Sequence, residues 1–517
     1  MKIIETIIKR FDGGVVNDPR DPRENTALMT ANFDTTDSRR LIPFKDSETG
    51  DDTASSNKIS NFCIAQKDAS TYALYGLGIS GTGTNRAKVF YKDISTGAAN
   101  DLDDDDWTAT ANPESAANSS GLSTEMFVYY KKQGLIYMVD IANDKIMAYD
   151  PDGGTAWDES QALTMTHATQ GIVHSKDDIL YFGYYNSAGS AGAKSYIAKK
   201  SGSGAWSLTA LALPDHLMPE VICEYGNYIA IGCRVFNPTA SDIGGSVVYL
   251  WDRDATLTTL SESVYWGDDR LMMLEEINGN LIGISYSYTG RVKPRVIFRY
   301  LSVSNAVEFA TLTPTASSGS PDFASHRKQK INNKLYFLLE ADLNDEDGDG
   351  LWSVSGRPGD WKIVRERTFN NDTAMDNVND ALVGFFIIGD YVFVSYTDNS
   401  VYGMSKTNDT ASYTATSVYS KLFNTVDSAT YKDLIGITVI TEPLPAAGQV
   451  VLKYKADEDS SWSSAMLTHS TDNAISASAV TSLPKNYKEL KIRIESTGGA
   501  VVTGLKFKEE VIDKDIY

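Results

Sequence analysis

Seven times along the chain, an apolar strand pattern runs into a tight polar turn and returns as a second apolar-aromatic strand. The copies are EMFVYYKKQGLIYMVDI (125–141), GIVHSKDDILYFGYY (171–185), EVICEYGNYIAIGCRVF (220–236), RLMMLEEINGNLIGISYSY (270–288), HRKQKINNKLYFLLEADL (326–343) and LVGFFIIGDYVFVSYTD (382–398), with a looser first copy NFCIAQKDASTYALYGLGI (61–79). Alternation at period two puts one face of each strand inward, and long helical periodicity is absent. The turns fall near residues 68, 133, 177, 226, 279, 332 and 389, at spacings of 65, 44, 49, 53, 53 and 57. Propeller blades run about 40–50 residues, so these spacings fit blades with modest insertions.

A third strand follows each hairpin, as in KIMAYD, SVVYLWD and RVIFRYL, and then a fourth. Four of the fourth strands open on tryptophan, at Trp107, Trp157, Trp206 and Trp361. The remaining counterparts are TLTTLSES (256–263), VEFATLTP (307–314) and SYTATSVYS (412–420). An indole there is sized to wedge between neighbouring sheets. The fold expected is all-β: a β-propeller of seven four-stranded blades over 58–420, followed by a β-sandwich of jelly-roll type over 421–517. Closing such a ring hides terminal sheet edges. A six-bladed ring with the first copy outside it is the alternative. Residues 1–57 read as an N-terminal arm with short strands, one of which is donated to the ring or reaches a neighbouring subunit.

The whole chain has 517 residues and a net charge of −21, so its surface repels a phosphate backbone. No stretch of 18 apolar residues occurs, so no membrane span is expected. The three cysteines, Cys63, Cys223 and Cys233, form no disulfide framework. Around the Gly226-Asn227 turn, Cys223 faces Ala230 rather than Cys233.

The sharpest chemical motif is DLNDEDGDGLWS. Asp345, Asp347 and Asp349 alternate and Gly350 follows, which is how a calcium loop begins. Gly356 at the twelfth position excludes an EF-hand, and Ser353 stands at the ninth. The motif resembles the calcium hairpins of integrin-type propellers, whose ninth position is usually Asp. Two readings stand: a structural calcium, or an acidic solvated loop. DPDGGTAW (150–157) resembles the Asp-box of sialidase propellers, a structural turn. The histidines, His167, His174, His216, His326 and His469, form no HExxH or HxH, and no GxSxG elbow or P-loop is present. The chain is therefore expected to have no enzymatic activity and to require no cofactor.

The N-terminal FDGGVVNDPRDPRENTALMTANFD, through Phe11, Gly13, Gly14, Val15, Asn32 and Phe33, resembles the opening of propeller-bearing tail proteins of tailed bacteriophages, including tail-nozzle proteins. The C-terminal GITVITEPLPAAGQVVLKYKADEDSSW and KIRIESTGGAVVTGLKFK are similar to a module of phage virion proteins. The resemblance implies a structural protein of the virion tail, in the nozzle or hub, made in the host cytoplasm. It implies a homo-oligomer, a hexamer by default, that assembles with other tail proteins. The alternatives are a module that binds a host surface glycan or receptor, with Tyr288 and Trp266 as candidate contacts, and a polysaccharide-cleaving propeller. Sequence-specific nucleic-acid binding is not expected.

Overall fold

The computed structural model describes residues 2–11, 29–31, 33–34, 39–44, 47–49, 57–80, 87–95, 102, 107–109, 122–141, 144–158, 164–186, 194–235, 244–254, 262–287, 294–313, 327–340, 349–368, 381–389, 391–398, 401–407, 417–423, 430–457 and 459–512. Every regular element among them is a strand. Seven antiparallel sheets follow one another as blades. Their first strands are Asn57–Gln66, Leu122–Tyr130, the pair His167–Ala168 and Ile172–His174, Leu217–Tyr225, Arg270–Ile277, Lys328–Ile331 and Ala381–Ile388. First strands of neighbouring blades pack on each other, so they line the axis of the ring.

The hairpins follow the expected register. In blade 4, Cys223 stands opposite Ala230 and Tyr225 opposite Tyr228 across the Gly226-Asn227 turn. Gly226 has φ +59°, a left-handed conformation that costs glycine nothing. DPDGGTAW forms the turn between the third and fourth strands of blade 2, where Asp150 Oδ1 accepts the Asp152 N–H at 3.0 Å.

Tryptophans wedge the blades apart at fixed places. Trp206 of blade 3 meets Tyr137 of blade 2 edge-on at 5.4 Å, and Phe182 of its own blade at 5.4 Å. Trp361 of blade 6 lies 5.0 Å from Phe309 of blade 5. Trp107 of blade 1 meets Phe393 of blade 7 at 6.0 Å, across the seam where the ring closes. At that seam the Ser395 hydroxyl also donates to the Ile59 carbonyl.

Two strand assignments differ from the sequence reading. Blade 4 takes its fourth strand from Glu262–Gly267 rather than 256–263, and there Trp266 packs on Gly283 of blade 5. Blade 7 takes its fourth strand from Ser47–Thr49, which pairs with Val401–Thr407 in the register Ser405↔Thr49. Residues 412–420 do not supply it. Instead Ser417–Phe423 pairs with Leu490–Thr497 in the sandwich. The reason is physical: short strands are defined by their partners, and partners distant in sequence leave no local pattern.

The sandwich is built from both ends of the chain. One sheet runs Lys2–Ile8, Val502–Ile512, Tyr431–Thr441, Ser476–Ala479; the other runs Met29–Ala31, Ser417–Phe423, Leu490–Thr497, Gln449–Ala456, Leu467–His469. Between them lie Phe11, Phe33, Leu41, Tyr419, Leu452, Ile494 and Phe507, all buried. Phe11 meets Tyr419 edge-on at 5.4 Å. The N-terminal segment is thus part of the sandwich core, and it also completes the ring.

Candidate site at the loop-bearing end of the propeller

Strand order fixes where a propeller keeps its connections. The hairpin turns between first and second strands lie at one end, with those between third and fourth. The connections from second to third strand, and from fourth to the next blade, lie at the other. The strand ends there are mostly separated by the longer stretches of sequence, for example Asn186 from Lys194, Val235 from Gly244, Ser287 from Arg295 and Leu312 from Lys328. Such an end is where insertions and recognition residues accumulate on a rigid scaffold.

At this end, blades 3, 4 and 5 bring together five polar side chains. Glu220 lies near the start of the blade 4 first strand, at a bulge between Pro219 and Val221, and is 5% exposed. Its carboxylate holds two guanidiniums. Arg234, at the end of the second strand, places Nε 2.9 Å from Oε1. Arg270, the first residue of blade 5, donates from Nη2 to Oε2 at 2.9 Å. His167 of blade 3 places Nε2 3.9 Å from Oε2.

Tyr185 lies near the end of the second strand of blade 3, and burial raises its phenol while Arg234 opposes the shift. Burial pulls the Arg234 guanidinium below its usual range; Glu220 opposes this and Arg270 adds to it. Arg270 is the member that reaches solvent, with its side chain 32% exposed.

A carboxylate shared by two guanidiniums fixes both forks in place and leaves one net positive charge. Planar donors and acceptors held this way suit vicinal hydroxyls or a carboxylate of a ligand. The next carboxylates around the ring are paired as well: Asp269 with Arg299 at 2.7 Å, and Glu340 with Arg327 at 3.8 Å.

The motif residues fall elsewhere. Asp345 and Asp347 lie outside the described residues. Asp349 offers its carbonyl to Arg365 Nε at 3.0 Å. Ser353 is fully buried within the third strand of blade 6, where its hydroxyl donates to Glu366 Oε1 at 2.6 Å; Glu366 also pairs with Lys334. That pairing turns Ser353 into the blade rather than toward the loop. Among the described residues, no three His, Cys, Asp or Glu side chains converge on a metal position. Tyr288 and His326 lie outside the described residues, and Trp266 is 1% exposed, which removes it as a surface contact. Also among the described residues, no helix is long and apolar enough to cross a membrane.

Glu220, Arg234 and Arg270 carry no motif, being 14 and 50 residues apart. The one sequence signal was a charged residue inside the apolar run LMPEVICEY.

No protein-family model and no curated protein matches the sequence. Solved structures align with it as β-propellers. Exo-beta-1,3-galactanase from Phanerochaete chrysosporium, bound to beta-1,3-galactotriose, aligns at 10% identity and TM-score 0.33, over 90% of this chain and 99% of that one. Trypanosoma rangeli sialidase aligns at 10% identity and TM-score 0.34, over 97% and 96%. SapL1 lectin, bound to alpha methyl fucoside, aligns at 11% identity and TM-score 0.35, over 59% and 95%. Two of these are glycoside hydrolases, and this corrects the expectation of a chain without enzymatic activity. At these scores the likeness assigns this chain no substrate and no residue roles.

Proposed function

We propose that this chain is a carbohydrate-binding propeller module. The observation that carries the reading is the convergence of His167, Tyr185, Glu220, Arg234 and Arg270, from three successive blades, at the loop-bearing end. Sugars are recognised by planar polar side chains held rigid, with an aromatic ring beside them. Here the rigidity comes from the ring and from Glu220, while Arg270 presents the exposed donors. A glycan array probed with the labelled full chain tests it. Binding that weakens with Arg270→Ala supports the reading; a silent array, or signals indifferent to Arg270→Ala, overturns it.

A second reading, a structural component of a phage tail, is favoured by one separate observation. Phe11 and Phe33, which carry the N-terminal resemblance, pack in one core with Val439, Ile492 and Phe507 from the C-terminal one. Two weak signatures become one domain, an attachment module beside a binding ring. Imaging virions that carry a tagged copy tests it, and particles without label would sink it.

A further inference from the structure

The outward face of the second sandwich sheet carries an arrangement that folding alone disfavours. Strand Leu490–Thr497 alternates buried Leu490, Ile492 and Ile494 with outward Lys491, Arg493 and Glu495. Its neighbour, Gln449–Ala456, turns Lys453 and Lys455 to the same side, since Val450 and Leu452 are buried on the other. The register sets Lys453 directly opposite Arg493, and Lys455 directly opposite Lys491. Like charges in directly opposed positions destabilise an antiparallel pair. Two such pairs stand side by side.

One carboxylate sits among these four cations. Glu495 accepts from Lys453 Nζ at 2.9 Å and lies 2.8 Å from Arg493 Nε. Among the described residues, Lys455 and Lys491 have no carboxylate partner within ion-pair distance. The acids at the strand ends serve the turns: Asp457 Oδ1 accepts the Lys488 and Glu489 N–H groups at 2.8 and 2.9 Å, and Asp459 Oδ2 accepts the Ala456 N–H at 3.0 Å. The Trp462 ring lies beside the array, 5.1 Å from Lys455 Nζ and 5.7 Å from Arg493 Cζ. The whole chain is strongly acidic, whereas residues 421–517, with 11 Lys and Arg against 13 Asp and Glu, are close to neutral.

We propose that this face binds an anionic polysaccharide, carboxylated or sulfated. The cations form a two-by-two array spaced about 5 Å across strands and about 7 Å along them. A sugar chain with one acidic group on every residue or two can neutralise such an array while its ring lies against Trp462. A protein partner fits less well, because interface cores exclude charge and four cations, Lys453, Lys455, Lys491 and Arg493, stand together on this face. Nucleic acid fits less well, because single strands are held by successive bases stacked on several aromatic rings, and the ring that lies beside this array is Trp462.

The test passes the full chain over immobilised polygalacturonate, dextran sulfate, neutral dextran and single-stranded DNA. Retention is expected on at least one polyanionic sugar and not on dextran, and it is lost at about 0.5 M salt. The two polyanions tell a carboxylate ligand from a sulfate one. In Lys455→Gln/Lys491→Gln, retention falls about tenfold or more, while the melting temperature holds or rises because repulsion has been removed. A merely structural pair of lysines gives the opposite, a lower melting temperature and unchanged retention. That result, retention only on DNA, or no retention at low salt overturns the proposal. The same variant keeps the array signals that depend on Arg270, so the two sites fail separately.

Discussion

Glu220→Gln isolates the clamp at the loop-bearing end, because it keeps the side-chain shape and removes only the charge. Both guanidiniums then lose the Glu220 charge while remaining largely enclosed, Arg234 with 18% and Arg270 with 32% of its side chain exposed. Breaking a buried pair by removing one partner costs about 3–5 kcal/mol. Solvent recovers part of that at Arg270, which brings the expectation to about 2–3 kcal/mol. The ring spans roughly 350 residues. At about 2.1 cal/mol/K per residue its unfolding entropy is about 0.7 kcal/mol/K, so the melting temperature falls by about 3–4 °C. Circular dichroism on heating reads this, and a urea titration with unchanged slope checks that only stability has moved. Glu308→Gln is the control, since Glu308 is 49% exposed and 3.7 Å from Arg299; it should cost at most about 0.5 kcal/mol. Salt at about 0.5 M should shrink the control effect and leave the Glu220 effect nearly intact. If Glu220→Gln melts no lower than Glu308→Gln, the clamp does not hold the three blades together and the argument fails.

Trp206→Ala should destabilise the ring by about 3–5 kcal/mol, because it empties the slot between blades 2 and 3; Trp157→Ala, at a less buried indole, should cost less in the same denaturation assay. Phe33→Ala should cost about 3–5 kcal/mol in the sandwich and bring earlier cleavage of the N-terminal segment in limited proteolysis. His174 is buried, and its Nδ1 faces the Arg253 Nη1 donor at 3.0 Å and the Lys176 N–H at 3.3 Å, which requires a neutral ring. Burial lowers its pKa below 6.5, and Arg253 adds to this against Glu224. The unfolded chain then binds more protons than the folded one just below pH 6.5, so stability should fall as the pH drops through that range; His174→Phe should flatten the slope in melts taken from pH 7.5 to 5.

The hairpins were legible because each is local. A tight turn, period-two alternation and an immediate reversal of the chain fix register within about twenty residues, as at Cys223 and Ala230. The tryptophan wedges were legible for the same reason, a bulky ring following a tight turn. The fourth strand of blade 7 was not: three residues, Ser47–Thr49, pair with a strand some 350 positions later, and nothing in SET announces a partner. The candidate site was half legible. A glutamate in LMPEVICEY breaks an apolar run, but its two arginines come from a neighbouring strand and a neighbouring blade. The aspartate motif drew the eye because its spacing is regular, yet Ser353 belongs to a strand and faces Glu366.

The closure of the ring explains why the chain ends deserve to be read together. The N-terminal segment supplies Lys2–Ile8 and Met29–Ala31 to the sandwich and Ser47–Thr49 to blade 7, while the partners of all three lie between Val401 and Ile512. Each of these strands must therefore wait for residues beyond 400 before it can pair. Contacts of that sequence separation carry a large closure entropy and form late. Blades 1 to 6 have their four strands in sequence order and need no such delay. It follows that ring closure and sandwich assembly are one late event: the segment that seals blade 7 is held between strands of the sandwich and the start of blade 1. A lesion at Phe11 or Phe33 in the sandwich core, which they share with Tyr419 and Phe507, therefore loosens the same segment that closes the propeller.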